Sequence, residues 1–376
     1  MGTVAKRVVV AMSGGVDSSV TAALLKEQGY DVIGVTMQLW DKGPEAAAAS
    51  GSFRPCCTLA DVMDAGRVAD RLNIPFHVLN LEEEFRTLVV EPFIDAYLDG
   101  LTPNPCILCN ERMKFRVLLG KARELGADLL ATGHYVRLDC GDDGICRLRA
   151  ATDKKKDQSY FLFSLDQEQL RHALFPLGSF TKQEVRRLAE QYNLPVAQKH
   201  ESQEICFVAD NDYAAFIERQ RNIGEQAGTI VDLQGKILGH HPGTYHYTIG
   251  QRRGLGIAAP RPLYVAAIEP ERREVTVGPQ EELYADGLTA AGVNWIVPPV
   301  TENFQATCKV RYRQEPLTCS VDASRTDRIS VTFTRPVKAI TPGQALVLYD
   351  GENMLGGGWI EKAVNRNPQE NLHEKL

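Results

Sequence analysis

The sequence lacks the features that would place the protein in or across a membrane. None of its apolar stretches is long enough to cross a bilayer. Met1–Val10 has neither the long apolar run nor the small-residue cleavage site of a secretory signal. We therefore expect a cytoplasmic protein. At 376 residues the chain is too long for one ordinary core and shows no internal repeat, which predicts two or three domains.

An excess of positive charge is also lacking, because the formal net charge is −6. This argues against indiscriminate nucleic-acid binding but allows a local basic face. Three segments are candidates: Lys154–Lys156, Arg252–Arg253, and Thr301–Val347 with seven basic and four acidic residues. For each of them, an ordinary solvated surface is the alternative.

The nine cysteines form an odd number, which argues against a secreted disulfide scaffold. In a reducing compartment a cysteine is either an inert core residue or a reactive one. Cys308 and Cys319 lie in alternating, strand-like runs and are predicted to be core residues. The candidates for chemistry are the C-x-x-C pair of Cys106 and Cys109, and the distant Cys206.

Strand and helix patterns alternate through the N-terminal half. Arg7–Met12 is a β-branched run typical of a buried parallel strand, a helical pattern then ends at Gly29, and Val32–Met37 predicts the next strand. Further helices are predicted at Leu59–Leu72, Glu82–Leu98 and Asn110–Leu125, and further strands at Phe76–Leu81 and Asp128–Tyr135. Alternation as far as about Phe207 predicts a doubly wound α/β domain with ligands at the carboxyl ends of its strands.

The pattern changes after about Asp210. Thr229–Tyr247 is rich in glycine, histidine and turn residues, and its His240–His241 pair indicates either a metal site or, as we prefer, a turn beside Pro242. Short alternating runs follow at Val293–Val297, Gln305–Tyr312, Thr318–Asp322, Arg328–Phe333, Ala345–Tyr349 and Gly356–Ile360. They predict a small antiparallel barrel or sandwich, followed by a polar tail that frays.

The loop Ser13–Ser18 (SGGVDS) lies between the first predicted strand and helix, where backbone N–H groups and the helix dipole favour an anion. A carboxylate such as Asp17 beside polyphosphate is explained if it holds a metal ion. No Walker-type G-x-x-x-x-G-K is present, so γ-phosphoryl transfer is disfavoured. The motif resembles the signature of the ATP pyrophosphatases with an adenine-nucleotide α-hydrolase-like fold, which pass an adenylyl group to a substrate oxygen. A glycine-rich turn capped by Asp17 is the alternative.

Cys109 lies close to the predicted start of a helix at Asn110, where the dipole favours a thiolate. Two interpretations of the candidate cysteines remain. One is thiol chemistry of Cys109 and Cys206, with a receiving and a resolving partner. The other is a metal site at the C-x-x-C pair Cys106 and Cys109, completed by Cys56 and Cys57 or by a histidine, which the lack of a second C-x-x-C disfavours.

Several ordered motifs together resemble the bacterial tRNA-specific 2-thiouridylase family, and the likeness runs from about Val8 to Ile360. The motifs are the loop Ser13–Ser18, which we call the phosphate loop, Asn104–Asn110, the Cys56–Cys57 pair, Ala131–Tyr135, Lys156–Leu162, Cys206 in I-C-F, Gly243–Gly256 and Val310–Arg313. The resemblance implies an ATP pyrophosphatase-type catalytic domain over 1–208, a small central tRNA-contacting domain over 209–284, a C-terminal antiparallel β-barrel over 285–364 and a flexible tail over 365–376.

The family resemblance further implies a sulfurtransferase that uses ATP and Mg²⁺. Its substrate would be wobble uridine 34 of the tRNAs for Lys, Glu and Gln, and a sulfur-relay protein would supply persulfide sulfur. Cys206 would carry the persulfide, and Cys109 would be its partner, able to form a transient disulfide with it. The nucleotide-binding residues would be Ala11, Met12, Ser13, Gly14, Gly15, Val16, Asp17, Ser18, Met37 and Gly133, with Mg²⁺ at Asp17. The tRNA-binding residues would be Asn104, Pro105, Cys106, Lys156, Asp157, Gln158, Arg311 and Tyr312.

One residue departs from the family pattern, because many members have an aspartate where this chain has Cys106. In those members the aspartate carboxylate is a candidate proton carrier. In this chain either water or another group carries that proton, or the carboxylate is not essential. The extra thiol also allows a local disulfide or a metal. Two other functions compete: an adenylating synthetase acting on a small metabolite, and a tRNA-binding redox or zinc module.

Overall fold

The computed structural model describes residues 5–40, 59–199, 205–208, 212–224 and 226–365. Cys56 and Cys57 lie outside these residues. The described residues form two compact units. The first lies within Met1–Glu91, Pro105–Asp212 and Glu352–Met354, and the second within Pro92–Asn104, Tyr213–Gly351 and Leu355–Leu376. Within the described ranges, no helix has both the length and the apolar character needed to cross a bilayer.

The first unit contains a parallel sheet. Its strands are β1 (Arg7–Ala11), β2 (Asp31–Gln38), β3 (Phe76–Asn80), β4 (Leu129–Ala131) and β7 (Ala173–Leu174), in the order β3-β2-β1-β4-β7 with every pairing parallel. Val8, Val9 and Val10 of the central strand are fully buried, as the β-branched run predicts. The strand order reverses beside β1, and a ligand site is expected at such a switch point. The predicted doubly wound domain is confirmed.

The described residues include helices in both units. The α-helices are α1 (Val16–Glu27), α2 (Leu59–Leu72), α3 (Glu82–Phe85), α4 (Glu91–Leu98), α5 (Pro105–Leu108), α6 (Leu119–Glu124), α7 (Gln167–Arg171), α8 (Lys182–Gln191) and α9 (Tyr213–Arg221). Two π-helical segments, Arg86–Val90 and Cys109–Leu118, join α3 to α4 and α5 to α6. Short 3₁₀ turns occupy Ser159–Leu162, Thr244–His246, Pro270–Arg272 and Gln280–Leu283.

A hairpin of β5 (Val136–Cys140) and β6 (Cys146–Ala150) completes the first unit, and Asn353 pairs with Arg149 beside it. Cys140 and Cys146 face each other across the hairpin and are joined by a disulfide. The sequence argument from the odd number of cysteines did not find this bond.

The second unit contains two sheets. One has β8 (Gly228–Val231), β9 (Ile237–His241), β10 (Tyr264–Glu269) and β11 (Glu274–Gly278) in the order β10-β11-β8-β9. The other has β12 (Tyr284–Trp295), β13 (Asn303–Lys309), β14 (Leu317–Asp322), β15 (Arg328–Lys338), β16 (Ala345–Asp350) and β17 (Asn353–Val364). Pairing of β12 with both β15 and β17 closes these six strands. The C-terminal fold is therefore a barrel and not a sandwich.

Several local predictions were wrong. The strand predicted to reach Tyr312 ends at Lys309, so Arg311 and Tyr312 lie in the following turn. His240 and His241 belong to β9 and not to a turn. β-Branched and alternating residues identify such strands, but hydrogen bonds with neighbouring strands decide where each one ends.

Candidate active site

The phosphate loop follows the carboxyl end of β1 and leads into α1. Ser18 folds back on it, because its Oγ accepts from the backbone N–H of Ser13 at 3.2 Å and donates to the carbonyl of Gly15 at 3.2 Å. Gly14 adopts a φ of 68°, a left-handed conformation that favours glycine. No side chain caps the helix at Gly15. The loop is thus held by its own hydroxyl groups. A helix N-terminus without a side-chain cap favours the binding of an anion.

Among the described residues, the Asp17 carboxylate bonds to the side chains of Lys182 and Tyr135. Lys182 Nζ lies 2.8 Å and 2.9 Å from its two carboxylate oxygens, and the Tyr135 hydroxyl donates to Oδ1 at 2.7 Å. Lys182 is placed by a capping box in which Thr181 and Glu184 define the start of α8. The carboxylate is therefore fixed in direction and paired with a cation.

Gly133 approaches the start of α1 closely. A Cβ at this position would lie 2.9 Å from the backbone nitrogen of Ser18, so a larger residue would displace the loop. The next residue, His134, is buried, and its Nδ1 is 2.7 Å from the Thr132 hydroxyl. Burial, together with the nearby charge of Lys114, holds the pKa of His134 well below its usual value. The imidazole is therefore neutral at neutral pH.

Three thiols line one cavity with the phosphate loop, and we call Cys106, Cys109 and Cys206 the cavity thiols. The helix begins at Pro105, so Cys106 occupies its first turn and Cys109 its second. The sequence prediction that placed Cys109 at the helix N-terminus was therefore wrong by one turn. Proline favours the first helical position, so the helix starts at Pro105 and not at Asn110.

The second turn is π-helical and also carries polar side chains. Asn110 is buried, donates from Nδ2 to the Phe161 carbonyl at 3.1 Å, and accepts from Lys114 Nζ at 2.8 Å. Lys114 lines the same cavity as the thiols. A π-helical turn often marks a functional site, and this one places a cation in the cavity that contains Cys109.

The cavity has a volume of about 340 Å³. Its wall includes Ala11, Met12, Ser13, Asp17, Ser18, Met37, Gly133, Pro105, Cys106, Cys109, Gln158 and Cys206. Most predicted nucleotide and sulfur residues thus meet in one place. Gly14 and Gly15 of the predicted set are not in this wall. Val16 packs in the hydrophobic core, and Asn104 belongs to the second unit.

The predicted tRNA-binding residues differ in their surroundings. Asp157 is buried, and its carboxylate accepts from the backbone N–H groups of Ala151 and Ser159 at 3.0 Å and 3.2 Å. Gln158 accepts from the Tyr135 backbone at 2.9 Å, while Lys156 is half-buried. The Asp157 carboxylate orders the loop that presents the other two.

In the second unit, Arg311 donates to the Ala339 carbonyl at 2.5 Å and to the Thr341 hydroxyl at 3.0 Å. Arg252 and Arg253 are exposed. In the first unit, by contrast, Lys154 of the predicted basic segment pairs with Glu352. The ion pairs of Glu352 with Lys154 and Arg137 lower its pKa to about 2.

Sequence reasoning missed Lys182, Tyr135, His134, Lys114 and Asn110 as members of the site. Tyr135 and His134 stand just after β4, where a parallel sheet places ligand-binding residues. Their position after a strand could therefore have indicated that they belong to the site. No sequence pattern indicated Lys182, because it reaches Asp17 from a helix far along the chain.

Comparison with known proteins agrees with this arrangement. The family model described as tRNA methyl transferase HUP domain matches residues 6–210, the tRNA methyl transferase PRC-barrel domain matches 215–279, and the aminomethyltransferase beta-barrel domain matches 285–360. A HUP domain with three thiols in its ligand cavity, followed by two β-rich domains, defines the class as a tRNA-modifying enzyme.

Full-length relatives define the family. The chain is 58% identical over 359 residues to the tRNA-specific 2-thiouridylase MnmA of Geobacter metallireducens, covering 96% of this chain and 98% of that protein. It is 58% identical to the protein of that name from Geotalea uraniireducens, covering 96% of each, and 50% identical to that from Carboxydothermus hydrogenoformans, covering 96% and 98%. The chain belongs to the tRNA-specific 2-thiouridylase family and is a sulfurtransferase.

Proposed function

We propose that the protein adenylates the C2 oxygen of wobble uridine 34 with ATP and then replaces that oxygen with persulfide sulfur carried by Cys206. The products are 2-thiouridine, AMP and pyrophosphate. The observation that carries the proposal is the single cavity whose wall includes both the phosphate loop and the cavity thiols. The activating group and the sulfur then act on the same base.

Adenylation supplies a leaving group, because the C2 oxygen of uracil is otherwise a very poor one. The phosphate loop and the start of α1 hold the phosphates, Met37 and Gly133 line the nucleotide, and Lys182 adds positive charge beside Asp17. Among the described residues, no group of three or more His, Cys, Asp or Glu side chains could hold a metal ion. Asp17 would be the residue that holds Mg²⁺ bound together with ATP. The ion would supply positive charge beside the departing pyrophosphate.

Sulfur transfer then takes place in two displacement steps. The terminal sulfur of the Cys206 persulfide attacks C2 and AMP leaves. The Cys109 thiolate next attacks the Cys206 sulfur, which breaks the S–S bond, releases 2-thiouridine and forms a Cys109–Cys206 disulfide. A thiol reductant restores both thiols with two electrons. Lys114 places a positive charge in the same cavity as the attacking thiol.

A hydrosulfide route reverses the order. Cys109 first attacks the inner sulfur of the persulfide, and the released hydrosulfide attacks C2. The two routes differ in the Cys109→Ser variant: direct attack leaves tRNA covalently bound to Cys206, whereas the hydrosulfide route leaves persulfide and no adduct. Gel analysis of the reaction without reductant separates them.

The remaining expectations belong to this proposal. The substrates are the tRNAs for Lys, Glu and Gln in the cytoplasm, and a persulfide relay protein supplies the sulfur. Asn104–Cys106 contacts the target base, while Lys156, Gln158, Arg311 and Tyr312 contact tRNA and Asp157 shapes the loop. An anticodon loop presents unstacked bases that can be turned into a pocket. We retain the domain boundaries 1–208, 209–284 and 285–364, with 365–376 as a tail.

The test uses unmodified tRNA, ATP, Mg²⁺ and a persulfide donor. We expect 2-thiouridine at position 34, and tRNA-dependent pyrophosphate release that Asp17→Asn slows about a hundredfold. Tyr135→Phe, which removes one hydrogen bond to Asp17, is the matched control and slows release about tenfold or less. Pyrophosphate release without tRNA, or with a small metabolite in its place, would favour a synthetase. Stoichiometric zinc or an iron–sulfur cluster would favour a metal module.

A further inference from the structure

Lys199 contacts the phosphate loop from outside the cavity wall. Its Nζ donates to the Gly14 carbonyl at 2.9 Å, to Asp61 Oδ1 at 2.6 Å and to Asp64 Oδ2 at 2.6 Å. The Lys199 side chain is only 19% exposed, and the two carboxylates are 14% and 22% exposed. These three charged groups therefore interact with little intervening water. Asp64 is shared with Arg67, an exposed residue at 3.0 Å.

Lys199 remains charged in this setting. Burial by itself lowers the pKa of Lys199, but hydrogen bonds and charge from Asp61 and Asp64 outweigh it and raise the pKa above its usual value. A lysine ammonium has three N–H donors and no acceptor. Three oxygens already receive them, so Lys199 has no donor left for a nucleotide phosphate. Its role is therefore different from that of a phosphate ligand.

The phosphate loop also packs closely against α2 at Gly14. Gly14 has a φ of 68°, and a Cβ there would lie 2.3 Å from the Asp61 carbonyl oxygen. The loop thus packs directly on the first turn of α2. One residue, Lys199, bonds to both partners of this contact.

The orientation of one peptide group follows from this contact. A trans peptide is planar, so its C=O and N–H point in opposite directions. The Gly14 carbonyl points to Lys199, and the N–H of Gly15 in the same peptide therefore points away from Lys199. Ser13, Asp17 and Ser18 line the cavity, whereas Lys199 and its two carboxylates do not.

We propose that Lys199 is a positioning residue that fixes the Gly14–Gly15 peptide, so that the N–H of Gly15 is held pointing away from Lys199 and donates to an ATP phosphate. Asp61 and Asp64 hold the ammonium in place, and their bonds occupy the donors that would otherwise bind a phosphate. This rests on the proposed use of ATP and adds a residue set to it. Without Lys199 the peptide is able to rotate, and a backbone donor at the start of α1 is lost.

The test compares two lysines that join α1 or its loop to α2. Lys26 bonds to the Leu72 and Asn73 carbonyls at the opposite end of α2, so Lys26→Met is the matched control. Lys199→Met removes the cation that bonds to both carboxylates, and the triple variant Lys199→Met, Asp61→Asn, Asp64→Asn also removes their negative charge. ATP affinity is measured by calorimetry, KM for ATP by pyrophosphate release, and folding by thermal melting.

We expect Lys199→Met and the triple variant to weaken ATP binding and raise KM for ATP about tenfold to hundredfold, the effect of one hydrogen bond to a charged group. The turnover number at saturating ATP changes by about threefold or less, since the reacting atoms are untouched. Lys26→Met keeps the wild-type KM. ATP binding of wild-type strength by a folded triple variant overturns the inference and leaves ATP use intact. Absence of ATP binding by the wild type overturns both.

Discussion

The molecule contains two groups of thiols in contrasting surroundings. The cavity thiols are exposed at Cys106 and half-buried at Cys109 and Cys206, and they share a wall with the phosphate loop. The barrel thiols, Cys308 and Cys319, are fully buried in the core of the C-terminal barrel. A buried cysteine behaves as a small hydrophobe, whereas a thiol with an accessible sulfur is able to react.

Hydrogen bonding strengthens the contrast. Cys319 Sγ is 3.5 Å from the Ala306 carbonyl, and the hydrogen bond between the two barrel thiols, together with burial, raises the pKa of Cys308. A raised pKa keeps the thiol protonated and unreactive at neutral pH. Cys106, in the first turn of its helix, is exposed instead.

The largest expected effect separates the two groups by activity. Cys206→Ser and Cys109→Ser should each reduce 2-thiouridine formation below detection, because a hydroxyl can neither carry nor resolve a persulfide. Cys319→Ala is the control and should retain wild-type activity. Mass spectrometry of digested tRNA measures the product. Full sulfur transfer by Cys109→Ser would reject the two-cysteine scheme.

The next effect concerns reactivity. At pH 8 iodoacetamide should modify the cavity thiols at least about a hundredfold faster than the barrel thiols, since alkylation needs an accessible thiolate. Cys106 should react first. Peptide mapping over time gives the order. If the barrel thiols react as fast as Cys109 in the folded protein, the two groups do not differ in reactivity.

A smaller effect concerns stability. Cys308→Ser should lower the free energy of unfolding by about 1–2 kcal/mol, because it places a more polar hydroxyl in a fully buried site. Cys109→Ser, at a half-buried position, should change it by about 0.5 kcal/mol or less. Urea unfolding of both variants measures the difference. Equal losses would show that the barrel site is not the more apolar one.

The smallest effect tests the departure from the family pattern. Cys106→Ser should retain activity within about threefold, because a hydroxyl preserves the hydrogen bonding of the thiol at this exposed position. Steady-state thiolation measures it. Complete loss would mean that all three cavity thiols are required, as a metal site or a three-thiol exchange would demand.

Much of this could be predicted from the sequence. Runs such as Arg7–Met12 identify buried strands because β-branched apolar residues suit a sheet covered on both faces. The phosphate loop is recognisable because glycine, hydroxyl and carboxylate residues stand at one strand-to-helix junction. Cys308 was also recognisable as a core residue, since alternating apolar and polar residues mark core positions of a strand.

Only the tertiary structure could decide which distant side chains complete the site. Lys182 and Lys199 lie far along the chain from Asp17 and Gly14, yet bond to them at 2.8 Å and 2.9 Å. Sequence patterns report on neighbours within a helix or strand, whereas packing of separate elements on the sheet sets these distances. The sequence by itself determined the α/β domain, the phosphate loop and the family. Three-dimensional packing decided that the thiols and the loop share one cavity, and that lysines from distant segments orient the loop.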